Sequence, residues 1–126
     1  MNTEIMIKTL VLTAIIMLGL DAIYLTATQK IMLNQITAIQ HAPVQFRILG
    51  AVVCYICLIG GLYYFILRER RSIFSAFLFG IVIYGVYEST NYAILKRWKW
   101  EIMVMDTIWG GILMALTTWG IYKIMR

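Results

Sequence analysis

Carboxylates are the side chains here that can pass a proton, pair with a cationic group or hold a hard cation. Three of the six acidic residues stand inside apolar runs. Asp21 lies in "LDAIYL", Glu88 in "YGVYESTNYAILKRW" and Asp106 in "VMDTIWGGIL", whereas Glu4 and Glu69 lie in flanks and Glu101 begins an apolar stretch. A charge at the centre of a membrane helix costs roughly 2.5–3.5 kcal/mol. Keeping an Asp neutral at pH 7 costs about 4 kcal/mol, so the two states compete. Arg47 is the cation placed to join the three and cannot neutralise them all. One carboxyl must therefore hold a proton, or the cluster must hold a cation. Asn91, three residues after Glu88, adds an amide that can orient a polar group.

Other chemistries find no support. There is no nucleophile elbow, no phosphate-binding glycine loop and no metal-binding His pair. A single histidine argues against a haem or di-iron membrane enzyme, and no cofactor is expected. Carboxylates with an Asn suit a cation such as Mg²⁺, but the spacing matches no metal motif and no metal site is assigned. Cys54 and Cys57, in "CYIC", cannot complete a four-ligand zinc site and read as buried packing residues. His41 reads as an exposed loop residue, with a base beside the cluster as the alternative. The scattered methionines read as packing.

The elements that position these groups are membrane helices. The chain has 126 residues, 62% of them hydrophobic and 13% charged, and a mean hydropathy of +0.82. A soluble domain would be about 45–50% apolar and about 25% charged. A spanning helix takes about 20 mostly apolar residues, and four segments qualify, at about 5–28, 44–67, 72–95 and 101–124. Runs such as "AVVCYICLIGGLYYFIL" do not alternate, which excludes barrel strands. With one proline and no Ser/Gly-rich linker, the expectation is an all-α, multi-pass integral membrane protein. It forms a single domain over residues 1–126, a four-helix bundle with both termini on the same side. The first apolar region is longer than a signal h-region and has no cleavage site, so it reads as a retained helix.

The turns differ in character. "RERRS" (68–72) is a tight basic connection whose arginines are solvated or lipid-facing. "KRWKW" (96–100) mixes cations with tryptophans, which places Trp98 and Trp100 as headgroup anchors of a helical hairpin. Segment 29–43 sets Ile31, Met32, Leu33, Ile36 and Ile39 among polar residues. It either lies along the interface or extends helix one, and Pro43 suits the first turn of helix two. The net charge of +5 is spread between apolar runs, which points to lipid headgroups and not nucleic acid. Lys8, Arg68, Arg70, Arg71, Lys123 and Arg126 fall at one end, against Lys30, Arg47, Lys96, Arg97 and Lys99 at the other. That near-parity fixes no orientation and leaves an antiparallel dimer open.

Depth brings the polar residues together. At about 1.5 Å per residue, Glu88 lies roughly 15 Å below Trp98, Asp106 roughly 12 Å, and Asp21 roughly 10 Å below the end of helix one. Arg47 enters from the same side. Tyr84, Glu88, Asn91 and Tyr92 share one helical face; Asp21 has Tyr24 at i+3, and Asp106 has Trp109. Gly80, Gly85, Gly110, Gly111 and Ala115 allow helices three and four to close tightly. Glu88 and Asn91 are expected to point toward Asp21, Asp106 and Arg47.

The three quoted stretches resemble the domain-of-unknown-function family 2177 of small membrane proteins. Members look like LDxxWL, then YxxYDLTNxAxxxxW, then VVDxxWG, in this order and spacing, while helix two matches only in general character. Tyr24 stands where the family has Trp, and Glu88 where it has Asp, on a longer arm. The resemblance implies that Asp21, Glu88, Asn91, Asp106 and Trp109 form one constellation. Some members look to be encoded near enzymes that modify fatty acyl chains, which hints at lipid metabolism.

The reading that follows is a carboxylate-lined cavity that binds or processes a lipid-like or small amphipathic molecule. Glu88 and Asp106 would carry protons or pair with its polar group, Asn91 would orient it, and Tyr24, Tyr92 and Trp109 would wall it. One competing reading is a structural or accessory subunit whose polar cluster only fixes helix packing. Another is a proton- or cation-coupled transporter acting as a dimer. An enzyme would need a carboxyl tuned toward neutrality. Partners are membrane lipids and, beyond them, a second copy or a membrane-complex subunit.

Overall fold

The computed structural model describes residues 2–41 and 47–125. Helix α1, Thr3–Gln40, is started by Asn2, whose side chain accepts from the Ile5 N–H at 2.8 Å, and stopped by His41 in the left-handed region at φ 56°. Its 38 residues make a rod of about 57 Å, far longer than the ~30 Å hydrocarbon core. Segment 29–40 therefore extends helix one, beyond the 5–28 expected from hydropathy.

Helix α2, Ile48–Leu62, runs on into a π-helical turn, Tyr63–Leu67. There the Tyr63 carbonyl accepts from Arg68 at 2.8 Å and the Ile66 carbonyl from Arg71 at 2.9 Å. Arg70, at φ 48°, turns the chain, and Ser72 caps helix α3, Ile73–Ile94, by accepting from the Ser75 N–H at 3.0 Å. Helix α4 covers Trp100–Ile124. Pro43 and the expected start of helix two at 44 lie outside the described residues. Each of the four helical segments is long and apolar enough to cross a membrane.

Helices α3 and α4 form the closest pair; α1 lies against α4, and α2 against α1. Glycine decides the first contact. A Cβ on Gly80 would run into the Gly110 carbonyl and stand 2.8 Å from the Gly111 Cα; one on Gly111 would meet the Phe77 ring at 2.7 Å. Gly85 faces only Thr107, at an ordinary 3.5 Å, so glycine is needed for the close approach at Gly80 and not at Gly85. At one end of the bundle the Thr9 hydroxyl donates to the Met125 sulfur at 3.2 Å and the Tyr122 hydroxyl to the Arg71 carbonyl at 2.6 Å. At the other end Gln35 joins α1 to the α3–α4 turn. Between them lies an apolar layer of Met17, Leu62, Leu113 and Met114, fully buried.

Candidate functional site

Three helices supply the carboxyl groups, and the bundle buries all of them. Asp21 on α1 is 6% exposed, Asp106 on α4 8%, and Glu88 on α3 0%. Their hydrogen-bond donors are aromatic. The Trp109 indole N–H donates to Asp21 Oδ1 at 3.0 Å, and the Tyr55 hydroxyl donates to Asp21 Oδ2. The Tyr24 hydroxyl donates to Asp106 Oδ1 at 3.0 Å, and the Trp98 indole N–H to Glu88 Oε1 at 2.9 Å. Tyr24 and Trp109 stack with centroids 4.5 Å apart and planes 1° from parallel. That stack ties the donor of Asp106 to the donor of Asp21. Tyr and Trp suit this work because an apolar ring tolerates lipid while its one polar atom requires a partner.

Glu88 Oε2 is different. It is buried and has no donor when the carboxyl groups are ionised, and the neighbouring carboxyl, Asp106, stands close enough to share a hydrogen bond with Glu88 once either is protonated. Asp106 in turn lines a cleft of about 480 Å³ between α2 and α3, walled by Cys54, Cys57, Leu58, Tyr84 and Tyr87. Cys54, Cys57 and Tyr87 are exposed on the flank of the bundle, so the cleft opens toward lipid. Its floor is a carboxyl group and its walls are mostly apolar. Tyr84 stands within electrostatic reach of both Asp21 and Asp106, pressed onto Gly110, where no Cβ would fit.

The structure thus brings Asp21, Tyr24, Glu88, Asp106 and Trp109 together. It does not bring in Arg47, which is the exposed N-cap of α2, or Tyr92, which is 49% exposed. Asn91 is half-buried one turn beyond Glu88, and the carboxyl groups take their hydrogen bonds from elsewhere. Asp21, paired with Trp109, sits about one turn deeper than Asp106, the reverse of the order that depth counting from the end of α1 implies. The cause is the extra length of α1, which passes the α3–α4 turn at Gln35 and continues.

Two donors escape sequence reading. Trp98, expected beside Trp100 as a headgroup anchor, is 6% exposed and turned inward, while Trp100 is 57% exposed and keeps the anchor position. Nothing in "WKW" separates the two, since either tryptophan suits the headgroup boundary. Tyr55 is hidden between two cysteines in an apolar run; the clue was a hydroxyl at mid-span that needs a partner. Cys54 and Cys57 are exposed and line the cleft, where packing in the core was expected. Among the described residues no group of three His, Cys, Asp or Glu is placed to hold a metal ion.

No curated protein and no solved structure is similar to the chain. Residues 6–122, which contain every one of these carboxyl groups and its aromatic donors, match the model of the family Predicted membrane protein (DUF2177). The chain belongs to that family, as a multi-pass integral membrane protein.

Proposed function

We propose that the protein binds a small amphipathic molecule that enters from the lipid, with its apolar part in the α2–α3 cleft and its polar group on Asp106. The observation that carries this reading is the fully buried Glu88 Oε2, which lacks a donor beside the carboxyl that floors an apolar, lipid-facing cleft. A buried acceptor without a donor costs about 1–3 kcal/mol, and a head group that brings a proton to Asp106, which would then donate to Glu88, would recover it. The ligand's head is therefore a hydroxyl, an amine or another donor, and its tail is apolar. Tyr84 and Tyr87 wall the cleft; Trp98 closes Glu88 from the α3–α4 turn.

One observation favours the packing reading instead. Each carboxyl group already has at least one aromatic donor inside the bundle, as a network that only fixes helix positions would. The transporter reading gains less, because Met17, Leu113 and Met114 close the core beyond Asp21.

Native mass spectrometry of the detergent-extracted protein separates these readings, using the wild type, Glu88→Gln and Cys57→Trp. Cys57→Trp fills the cleft from an exposed position and leaves the carboxyl groups untouched. A discrete bound mass in the wild type that is lost in both variants supports the ligand site. Bare protein in all three, with Glu88→Gln unfolding in mild detergent, supports the packing role and overturns the proposal.

A further inference from the structure

The α3–α4 turn holds a second cavity, remote from the cleft. We infer that this cavity binds the phosphate group of an anionic phospholipid.

It encloses about 650 Å³ and is lined by Asn34, Gln35, Arg97 and Lys99 over apolar Ile31 and Ile102. Gln35 builds it. Gln35 is 5% exposed, and its side chain donates to the Arg97 carbonyl at 2.6 Å and accepts from the Lys99 N–H at 3.3 Å. Both side-chain groups of the amide are thus spent on the turn's backbone. With Trp98 drawn inward to Glu88, the residues on either side, Arg97 and Lys99, are both exposed cations at the cavity.

Neither cation is in an ion pair among the described residues. Among the described residues the one ion pair is Arg68–Glu69, at the opposite end of the bundle. Among the described residues Arg97 makes a long side-chain contact, at 3.5 Å, with the Ala38 carbonyl. Lys99 is the N-cap of α4 and offers that helix end no side-chain acceptor; the acidic residue of the first turn is Glu101, which is exposed, and a helix start favours an anion. Two cations and a helix start therefore face one cavity, and Glu101, the acidic residue of that helix start, is not among the residues that line it.

Position selects the source of the anion. Trp100, 57% exposed beside the turn, marks headgroup depth, and the apolar floor of Ile31 and Ile102 suits the start of an acyl chain, which free phosphate lacks. Basic pockets between helix ends at this depth are the usual seats of anionic headgroups.

The test is titration of the full-length protein, in neutral detergent, with dioleoyl phosphatidylglycerol, dioleoyl phosphatidylcholine or inorganic phosphate. Bound lipid is read by native mass spectrometry, and fold is checked by far-ultraviolet circular dichroism. The variant is Arg97→Gln with Lys99→Gln, which leaves the Gln35 bonds to backbone intact. The control, Lys8→Gln with Lys123→Gln, removes the same charge from the other end. Phosphatidylglycerol is expected to bind the wild type and the control alike and the variant roughly tenfold or more weakly, the scale on which two surface cations hold anionic lipid. Equal losses in variant and control would mean diffuse charge. Equal binding of phosphatidylcholine, or displacement of the lipid by inorganic phosphate, would mean the site does not read an anionic lipid. Each of these results overturns the proposal.

Discussion

Trp98→Phe is the substitution whose cost the structure fixes most closely. The indole N–H is the donor to Glu88 Oε1, at 2.9 Å, and Oε2 has none. Phenylalanine keeps a ring in the same place but leaves both oxygens of a carboxyl group that is 0% exposed without a donor. Hydrogen bonds between membrane helices average about 0.6 kcal/mol in double-mutant cycles, with a maximum near 1.7. A buried acceptor stripped of its donor costs about 1–3 kcal/mol. Since water does not reach Glu88, the coupling belongs at the upper end, about 1.5 kcal/mol, with lost ring area adding about 1 kcal/mol to the single variant. Glu88→Met removes the acceptor at similar volume. In that background Trp98→Phe leaves no orphaned group, so only its packing cost remains. The assay is reversible unfolding in mixed micelles against rising dodecyl sulfate, followed by circular dichroism, for the wild type, both single variants and the double. A coupling below about 0.5 kcal/mol, meaning additive costs within the usual scatter, would refute the claim that Trp98 serves Glu88.

The same titration reads three further predictions. Gly80→Ala should destabilise by about 3 kcal/mol, the top of the overpacking range, because its Cβ meets backbone, whereas Gly85→Ala, with 3.5 Å to Thr107, should stay within about 0.5 kcal/mol. Tyr55→Phe and Tyr24→Phe, each deleting one donor to a buried carboxyl group, should cost about 1 kcal/mol each. Trp109→Phe should cost more than either, because it also breaks the stack on Tyr24. Arg47→Gln and Tyr92→Phe, both at exposed positions, should lie within about 0.5 kcal/mol of wild type; a large loss for Arg47→Gln would restore it as the partner of the carboxyl groups.

What the sequence could reveal follows from lipid as the solvent. In water an apolar stripe shows which face of a helix is buried. In a bilayer all faces are apolar, so Ile15, Ile23 and Val82 carry no sign that they face outward. Phase is readable only where a residue is expensive or small. Asp21, Glu88 and Asp106 are expensive, and Gly80, Gly110 and Gly111 are small; these positions were legible and came together. The donors were not, because Tyr55 and Trp98 cost little in lipid or at its boundary. Arg47 was drawn toward the carboxyl groups by charge alone, but it caps α2 beyond their reach. The length of α1 was ambiguous because segment 29–40 is amphipathic enough for either an interface helix or a continuation. Gln35, a residue with no feature in the sequence to single it out, decides between them by binding the turn.

The identity of the donors bears on what the site is for. A membrane protein that needs only to neutralise a buried carboxylate has Arg and Lys available, and a guanidinium gives two aligned N–H groups with a full charge. Here the partners are Trp98, Trp109, Tyr24 and Tyr55, all neutral. They satisfy lone pairs and orient each carboxyl group, yet cancel none of its charge. The cations are at the rims, with Arg97 and Lys99 on the surface turn and Arg47 on the cap of α2. A cluster organised in this way has fixed geometry and unfixed charge: its balance is left to protons or, on the proposal above, to a ligand in the cleft beside Asp106. For packing alone that division is wasteful, since well-fitted apolar residues in place of a buried polar set are often no less stable. The proposed ligand, by bringing a proton or a positive charge, would supply the missing balance. The test lies in the cleft-filling variant. If Cys57→Trp leaves stability unchanged and removes a bound molecule, the uncompensated acceptors serve that molecule and not the fold.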